Sequence, residues 1–379
     1  MKMISGGVCA AKGFKANGLH CGIRPNTTKK DLALVVSDVP AGAAAVYTTN
    51  LVKGAPLTVT KTHIADGIAQ AVICNSGNAN TCNADGIEIA EKMSALVEAC
   101  TGVDAGNVIV ASTGVIGQPL NLAPIEAAME DLAAGLSYTG DQDAAEAIMT
   151  TDTVMKEAAV EFEIGGKTCR LGGMAKGSGM IHPNMATTLC FITTDAVMEP
   201  GPMKAMLKKA CDESFHALTV DGDTSTNDSL IMLASGASGI AVDNPADEAA
   251  MEELLETVLA EMARRIAADG EGAQKTLTVA VKGLADKEEA RRVARSICRS
   301  NSVKAAFGHG GLSKALVLSA AGAAMADSSG DFSKVECELT KDDEDVFVHL
   351  DFHEGSGEAQ AYGCDLTGEY VRINGDYRT

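Results

Sequence analysis

Midway along the chain, glycine and proline punctuate a stretch that runs straight into an apolar strand: Lys176-Gly-Ser-Gly-Met-Ile-His-Pro-Asn-Met-Ala-Thr-Thr-Leu189. Gly177, Gly179 and Pro183 favour a turn, and the run from Leu189 to Ile192 is short and apolar enough to be a buried strand. Whatever fold forms must bring a sharply broken segment into its interior. The pattern also has a chemical reading. If the Ala186–Thr187 bond broke, Thr187 would carry a free α-amine. Such an amine titrates at about 7.7–8.0 and can serve as the base a threonine hydroxyl needs to become a nucleophile. Locally, the alternative is a turn feeding a strand, with Thr187 and Thr188 as ordinary β-branched strand residues.

Several apolar runs have strand length: Asp31 to Val36, Ala71 to Asn75, Asn107 to Ala111, Ala158 to Ile164, Leu230 to Ala234, Ile240 to Val242 and Leu277 to Val281. Val335 to Leu339 and Val346 to Phe352 predict an antiparallel pair, with the charged residues 341–345 as a solvated turn. Helical spacing covers Glu88 to Cys100, Asn121 to Leu136, Pro200 to Phe215, Asp247 to Ala268 and Lys287 to Arg299. The longest of these has an apolar stripe of Leu254, Leu255, Val258, Leu259, Met262 and Ile266. The expectation is a mixed α/β fold, layered sheets flanked by helices. With 379 residues but no linker or low-complexity stretch, one interwoven globule is expected. Aromatics are 3% and tryptophan is absent, so Ala, Val, Ile, Leu and Met must fill the core.

A net charge of −20 argues against nucleic acid, whose phosphates call for Lys and Arg, and against anionic membrane surfaces. The opening residues contain no apolar core of a signal peptide, and no apolar run approaches the roughly 20 residues of a membrane span. A soluble, cytoplasmic protein is expected. The eleven cysteines form no CxxC pair and read as reduced, small apolar residues, Cys190 included. No HExxH or other compact metal-ligand spacing occurs, so no metal is expected.

Separated motifs in a fixed order carry a resemblance. They are Asp31-Leu-Ala-Leu, Ser37-Asp-Val-Pro-Ala41, Thr48-Thr-Asn-Leu-Val-Lys-Gly-Ala-Pro56, Asn75-Ser-Gly-Asn-Ala-Asn80 and Ser112-Thr-Gly-Val-Ile-Gly117, followed by Thr150-Thr-Asp-Thr153, Lys176-Gly-Ser-Gly-Met and Pro183-Asn-Met-Ala-Thr-Thr-Leu189. Val220 to Asp228, Asp269-Gly-Glu-Gly-Ala-Gln-Lys275, Asp365-Leu-Thr and Tyr370 to Thr379 complete the series. Nearly end to end, the chain resembles the ornithine acetyltransferase (bifunctional glutamate N-acetyltransferase) family of arginine biosynthesis. The resemblance implies an N-terminal-nucleophile-type enzyme that cuts itself between Ala186 and Thr187. It implies an α-chain of residues 1–186 and a β-chain of 187–379, assembled as a heterotetramer of two of each. Thr187 would be the nucleophile, with the Thr113 hydroxyl and Gly114 N–H as the oxyanion hole. Thr153, Lys176, Thr187, Glu271, Asn374 and Thr379 match the family's substrate-binding positions. The substrates implied are N-acetyl-ornithine and glutamate, with acetyl-CoA as a second donor in bifunctional members, and no bound cofactor.

Read without the family, Thr113-Gly114 is a strand-ending turn, Lys176 a solvated loop lysine and Glu271 part of a helix-terminating turn. Other readings are a related N-terminal-nucleophile amidase or aminopeptidase, and a non-catalytic amino-acid-binding relative. The chain departs from the family's pattern where His309-Gly-Gly-Leu-Ser-Lys314 replaces an Asp-Pro-Asn-Trp-Gly-Arg-like string. If that segment shapes the pocket or a subunit contact, the acyl donor or acceptor differs.

Overall fold

A computed structural model describes residues 1–25, 28–182, 188–326, 331–342 and 345–375. Two sheets organise the chain. The strands of the first are β1 (Lys2–Ile4), β2 (Phe14–Leu19), β3 (Leu32–Tyr47), β4 (Ile68–Asn78), β5 (Val108–Val115), β6 (Lys156–Ile164), β7 (Lys167–Lys176), β8 (Leu189–Thr194) and β10 (Ser229–Ala234). Their order is β1-β6-β7-β8-β10-β3-β4-β5, with β2 also paired to β3. The second sheet has β9 (Leu218–Thr219), β11 (Thr276–Leu284), β12 (Glu336–Asp342), β13 (Asp345–Asp351) and β14 (Gly357–Cys364), in the order β12-β13-β11-β14-β9.

Strand β8 lies inside the first sheet, antiparallel to β7 and parallel to β10, and all six of its residues are buried. Cys190 and Ile192 pack on one face with Leu255, Leu259 and Met262 of the helix Pro245–Ala268; Phe191 joins Phe14, Val35 and Met174 in a separate core cluster. With both faces covered, such a strand reads as a continuous apolar run rather than an alternation. Every residue of the predicted stripe from Leu254 to Ile266 is buried. Strands preceding residue 183 and following residue 187 interleave, since β8 and β10 sit between β7 and β3. The mixed α/β layering expected from the sequence is the fold observed.

Three local differences have physical causes. The expected strand at Asp31 to Val36 continues to Tyr47, because a bulge between Val36 and Ala41 takes the exposed Pro40, which has no N–H to donate, out of the ladder. Gly165 and Gly166, which follow the strand expected at Ala158 to Ile164, have φ of 56° and 76° and form a tight hairpin into β7. Ile240 to Val242 forms no strand, only a single bridge from Ala241 to Val197, next to glycines 236 and 239 at positive φ.

The predicted antiparallel pair is β12 and β13. All eleven cysteines are free, and burial pushes the Cys190 thiol well up, as its reading as core requires. Among the described residues no helix is long and apolar enough to cross a membrane, and no cluster of potential metal ligands occurs.

Glu157 on β6 carries a pH dependence. One carboxylate oxygen is buried without a partner among the described residues. Burial, with the Asp141 charge adding to it, raises the carboxyl from 4.5 to about 7. The folded state therefore holds this proton more tightly than the unfolded chain, so stability falls as pH rises from about 4.5 to about 7. Glu157→Gln removes that loss. In thermal melts, the variant's Tm is expected to exceed the wild type's by a margin that opens across this window and stays constant above it.

Candidate active site

The parallel pairing of β4 with β5 sets Ser76 beside Thr113 and Gly77 beside Gly114. Gly114 has φ of 124°, and a Cβ there would lie 2.4 Å from the Gly77 carbonyl carbon, so only glycine fits. Thr113 is buried, and its Oγ1 lies 3.4 Å from the Lys176 Nζ.

Lys176 is not a loop lysine. It ends β7, pairs in register with Leu189 and is 2% exposed. Burial pushes its ammonium below the ordinary lysine range, with the Asp152 charge opposing. Among the described residues no carboxylate oxygen lies within the 4.0 Å of an ion pair to it. A buried cation in that state attracts an anion.

Glu271 comes from the turn after the helix Pro245–Ala268. Its N–H donates to the Ser178 carbonyl at 2.9 Å, and its Oε2 accepts from Asn374 Nδ2 at 2.6 Å. Asn374 lies in the helix Gly368–Gly375. Gly179 admits the Glu271 carboxylate: a Cβ on Gly179 would stand 2.3 Å from its carboxyl carbon.

Thr113, Gly114, Lys176, Glu271 and Asn374 surround one pocket of about 70 Å³. Four separate segments thus converge, with an ammonium, a carboxylate, a hydroxyl and a glycine N–H. Thr153 does not line this pocket; its N–H and hydroxyl both donate to Asp269. Ala186, Thr187 and Thr379 lie outside the described residues. Beside them, Thr188 donates its N–H to Asp228 Oδ1 at 3.0 Å. Asp228 is fully buried, its second oxygen has no partner among the described residues, and burial raises its carboxyl well above the usual range.

His182 is not part of the lining. Burial, then Arg299 and Arg295, depress its imidazole to about 4, so it is neutral near pH 7. Residues 309–314, where the chain departs from the family's pattern, join two helices on the far side of the second sheet's core and do not line the pocket either. A larger groove of about 980 Å³ against the second sheet shares no residue with this site.

Sequence reasoning passed over Asn227, Asp228 and Lys156. Asn227 lines the pocket, and its Nδ2 donates to the Ala79 and Ser112 carbonyls at 2.7 and 2.9 Å. Asn227 and Asp228 do lie in a matched motif; Lys156 had no local signal.

The ArgJ family model matches residues 15–379. The chain belongs to the ArgJ family. It is 45% identical to the arginine biosynthesis bifunctional protein ArgJ of Symbiobacterium thermophilum, over the full length of both chains. A protein of the same designation from Geobacillus kaustophilus is 41% identical, over 99% of this chain and 96% of that one. A crystal structure of ornithine acetyltransferase from Mycobacterium tuberculosis, complexed with ornithine, matches at 36% identity and a TM-score of 0.45, over 48% of this chain and 97% of that chain. Family membership accords with the resemblance read from the motifs and spans the segment at 309–314.

Gly179→Ala tests the packing of the ArgJ-family pocket. The added methyl collides with the Glu271 carboxyl carbon and displaces it by about 1 Å, a shift that can cost about 10²-fold in rate. Turnover of the preferred amino-acid substrate is expected to fall on that scale, with circular dichroism and Tm near those of the wild type.

Proposed function

We propose that this chain is an acyltransferase of arginine biosynthesis that moves an acetyl group from N2-acetyl-L-ornithine to L-glutamate through an acetyl-Thr187 intermediate, with acetyl-CoA as a second acetyl donor. The observation that carries the reading is the buried Lys176 ammonium, with no ion-pair partner among the described residues, across one small pocket from the Glu271 carboxylate and beside Thr113 and Gly114. A cation and a carboxylate at two sides of a pocket suit an amino acid that bears both charges. Family membership and the relatives' designation as bifunctional proteins of arginine biosynthesis support the same reaction class.

The proposed sequence begins with self-cleavage. Thr187 Oγ attacks the Ala186 carbonyl, the amide nitrogen leaves as the new α-amine, and water hydrolyses the ester. The α-amine then takes the Thr187 hydroxyl proton as Oγ attacks the acetyl carbonyl of N-acetyl-ornithine. Negative charge gathers on the acetyl oxygen, where the Thr113 hydroxyl and Gly114 N–H donate to it. The α-amine passes its proton to the departing ornithine nitrogen. Glutamate's amine repeats the attack on the ester and restores Thr187. Lys176 binds the α-carboxylate of either amino acid; Glu271 suits the side-chain ammonium of ornithine. Asn374 and Thr379 complete the proposed binding set, with Thr153 supporting it from behind through Asp269. The fragments 1–186 and 187–379 are held by their interleaved strands, two of each forming a heterotetramer in the cytoplasm.

Initial-rate kinetics test the reaction. Double-reciprocal plots against N-acetyl-ornithine at several glutamate concentrations are expected to be parallel, with ornithine release dependent on the acceptor. Thr113→Val is expected to lower kcat by about 10²- to 10³-fold, the usual loss for one oxyanion donor. Release of acetate at a rate independent of glutamate would instead identify an amidase.

A further inference from the structure

Behind the pocket lies a charge cluster that the proposed chemistry does not use. Lys156, at the start of β6, is 1% exposed. Its Nζ lies 2.7 Å from Asp152 Oδ1 and 2.5 Å from Asp269 Oδ2, and both aspartates are buried. Each carboxylate also holds backbone. Asp152 accepts the Gly177 N–H at 2.8 Å and the Thr150 N–H at 3.0 Å. Asp269 accepts the Thr153 N–H, while its carbonyl accepts the Ser178 hydroxyl at 2.7 Å. Lys156 therefore ties together the segments that carry Thr150, Lys176 and Glu271.

The charge count is more informative than the tethering. The cluster holds two buried carboxylates and two buried lysines, Lys156 and Lys176. Lys156 takes both carboxylates, and Lys176 has no ion-pair partner among the described residues. Asp152 is nonetheless near enough to Lys176 to feel its charge: burial pushes the Asp152 carboxyl up, but Lys176 and Lys156 outweigh it and hold it low. Two other charged groups face Lys176. Burial raises the Asp228 carboxyl well above the usual range and its Oδ1 accepts the Thr188 N–H at 3.0 Å, while Arg24 donates to the Ser76 and Met149 carbonyls.

We propose that Lys156 is a positioning residue that, by holding Asp152 and Asp269, reserves the Lys176 ammonium for the carboxylate of an amino-acid substrate. Remove Lys156 and Asp152 becomes the counter-ion of Lys176, closing the anion site from within. The inference rests on the functional reading for its ligand but not for its electrostatics.

Two charge-matched double variants test it, each losing one lysine and one carboxylate so that the net charge of the cluster is unchanged. Lys156→Met with Asp269→Asn leaves Asp152 facing Lys176; Lys156→Met with Asp152→Asn leaves Lys176 free. L-Ornithine is titrated into both and into wild type by calorimetry. The first variant is expected to bind about tenfold or more weakly than wild type, the scale of one lost charge-assisted hydrogen bond, and the second within about threefold. Equal binding by the two variants, weak or strong, would overturn the proposal. A second readout needs no ligand: the Lys176 pKa, followed by carbon-13 NMR of its ε-carbon. It is expected to rise in the first variant, where a carboxylate pairs with it, and not in the second. Wild type that binds no ornithine would count against the functional reading alone; no difference in Lys176 pKa between the variants would count against the positioning claim alone.

Discussion

Everything at the site depends on where β8 lies. Its pairing is antiparallel to β7 and parallel to β10, and the register is tight: Leu189 faces Lys176 on one side and Ser229 on the other. That single row brings the end of β7, the residues after the proposed scissile bond and the Asp228 motif to one edge of the sheet. The parallel β8–β10 pair requires a crossover, and residues 195–228 make it through the helix Pro200–Glu213 and β9. Because β8 is buried on both faces, a slip of one residue would turn Phe191 and Ile192 to the wrong core layers. Lys176 and Asp228 would lose their positions with it.

Burying charge at that edge is costly, and the arrangement offsets the cost by pairing. Lys156 satisfies two carboxylates, each of which also accepts backbone N–H groups. Breaking a buried pair of this kind typically costs about 3–5 kcal/mol, because one charge is left uncompensated. Lys176 is the exception: it has no ion-pair partner among the described residues, and on that we base the proposal that the pocket receives an anion. Asp228, also buried, accepts the Thr188 N–H, and burial raises its carboxyl well above the usual range.

Much of this was legible in the sequence, for reasons that differ by residue. The stripe from Leu254 to Ile266 follows helical spacing, a local signal that needs no long-range information, whereas the β8 layer it packs against is set by the tertiary fold. Gly114 was found through its motif, and the structure supplies the reason: the Gly77 backbone leaves no room for a Cβ. Lys176 was singled out by resemblance, while its local composition pointed to solvent, since nothing in the neighbouring residues says that β7 runs inside a sheet. Lys156 was missed outright. Its partner Asp269 is 113 residues away, and no periodicity announces a contact that only the tertiary fold creates. Thr153 shows the limit of a motif in another way: its hydroxyl turns to Asp269 rather than into the pocket.

The central claim is that Thr187 becomes a nucleophile by acquiring a free α-amine. Intact mass and N-terminal sequencing of purified wild type beside Thr187→Ala test it most directly. The account predicts two wild-type fragments of similar size, the second beginning at Thr187, and a single chain of 38.9 kDa for the variant. A folded wild-type chain that stays whole, or a cut at any other bond, would contradict it.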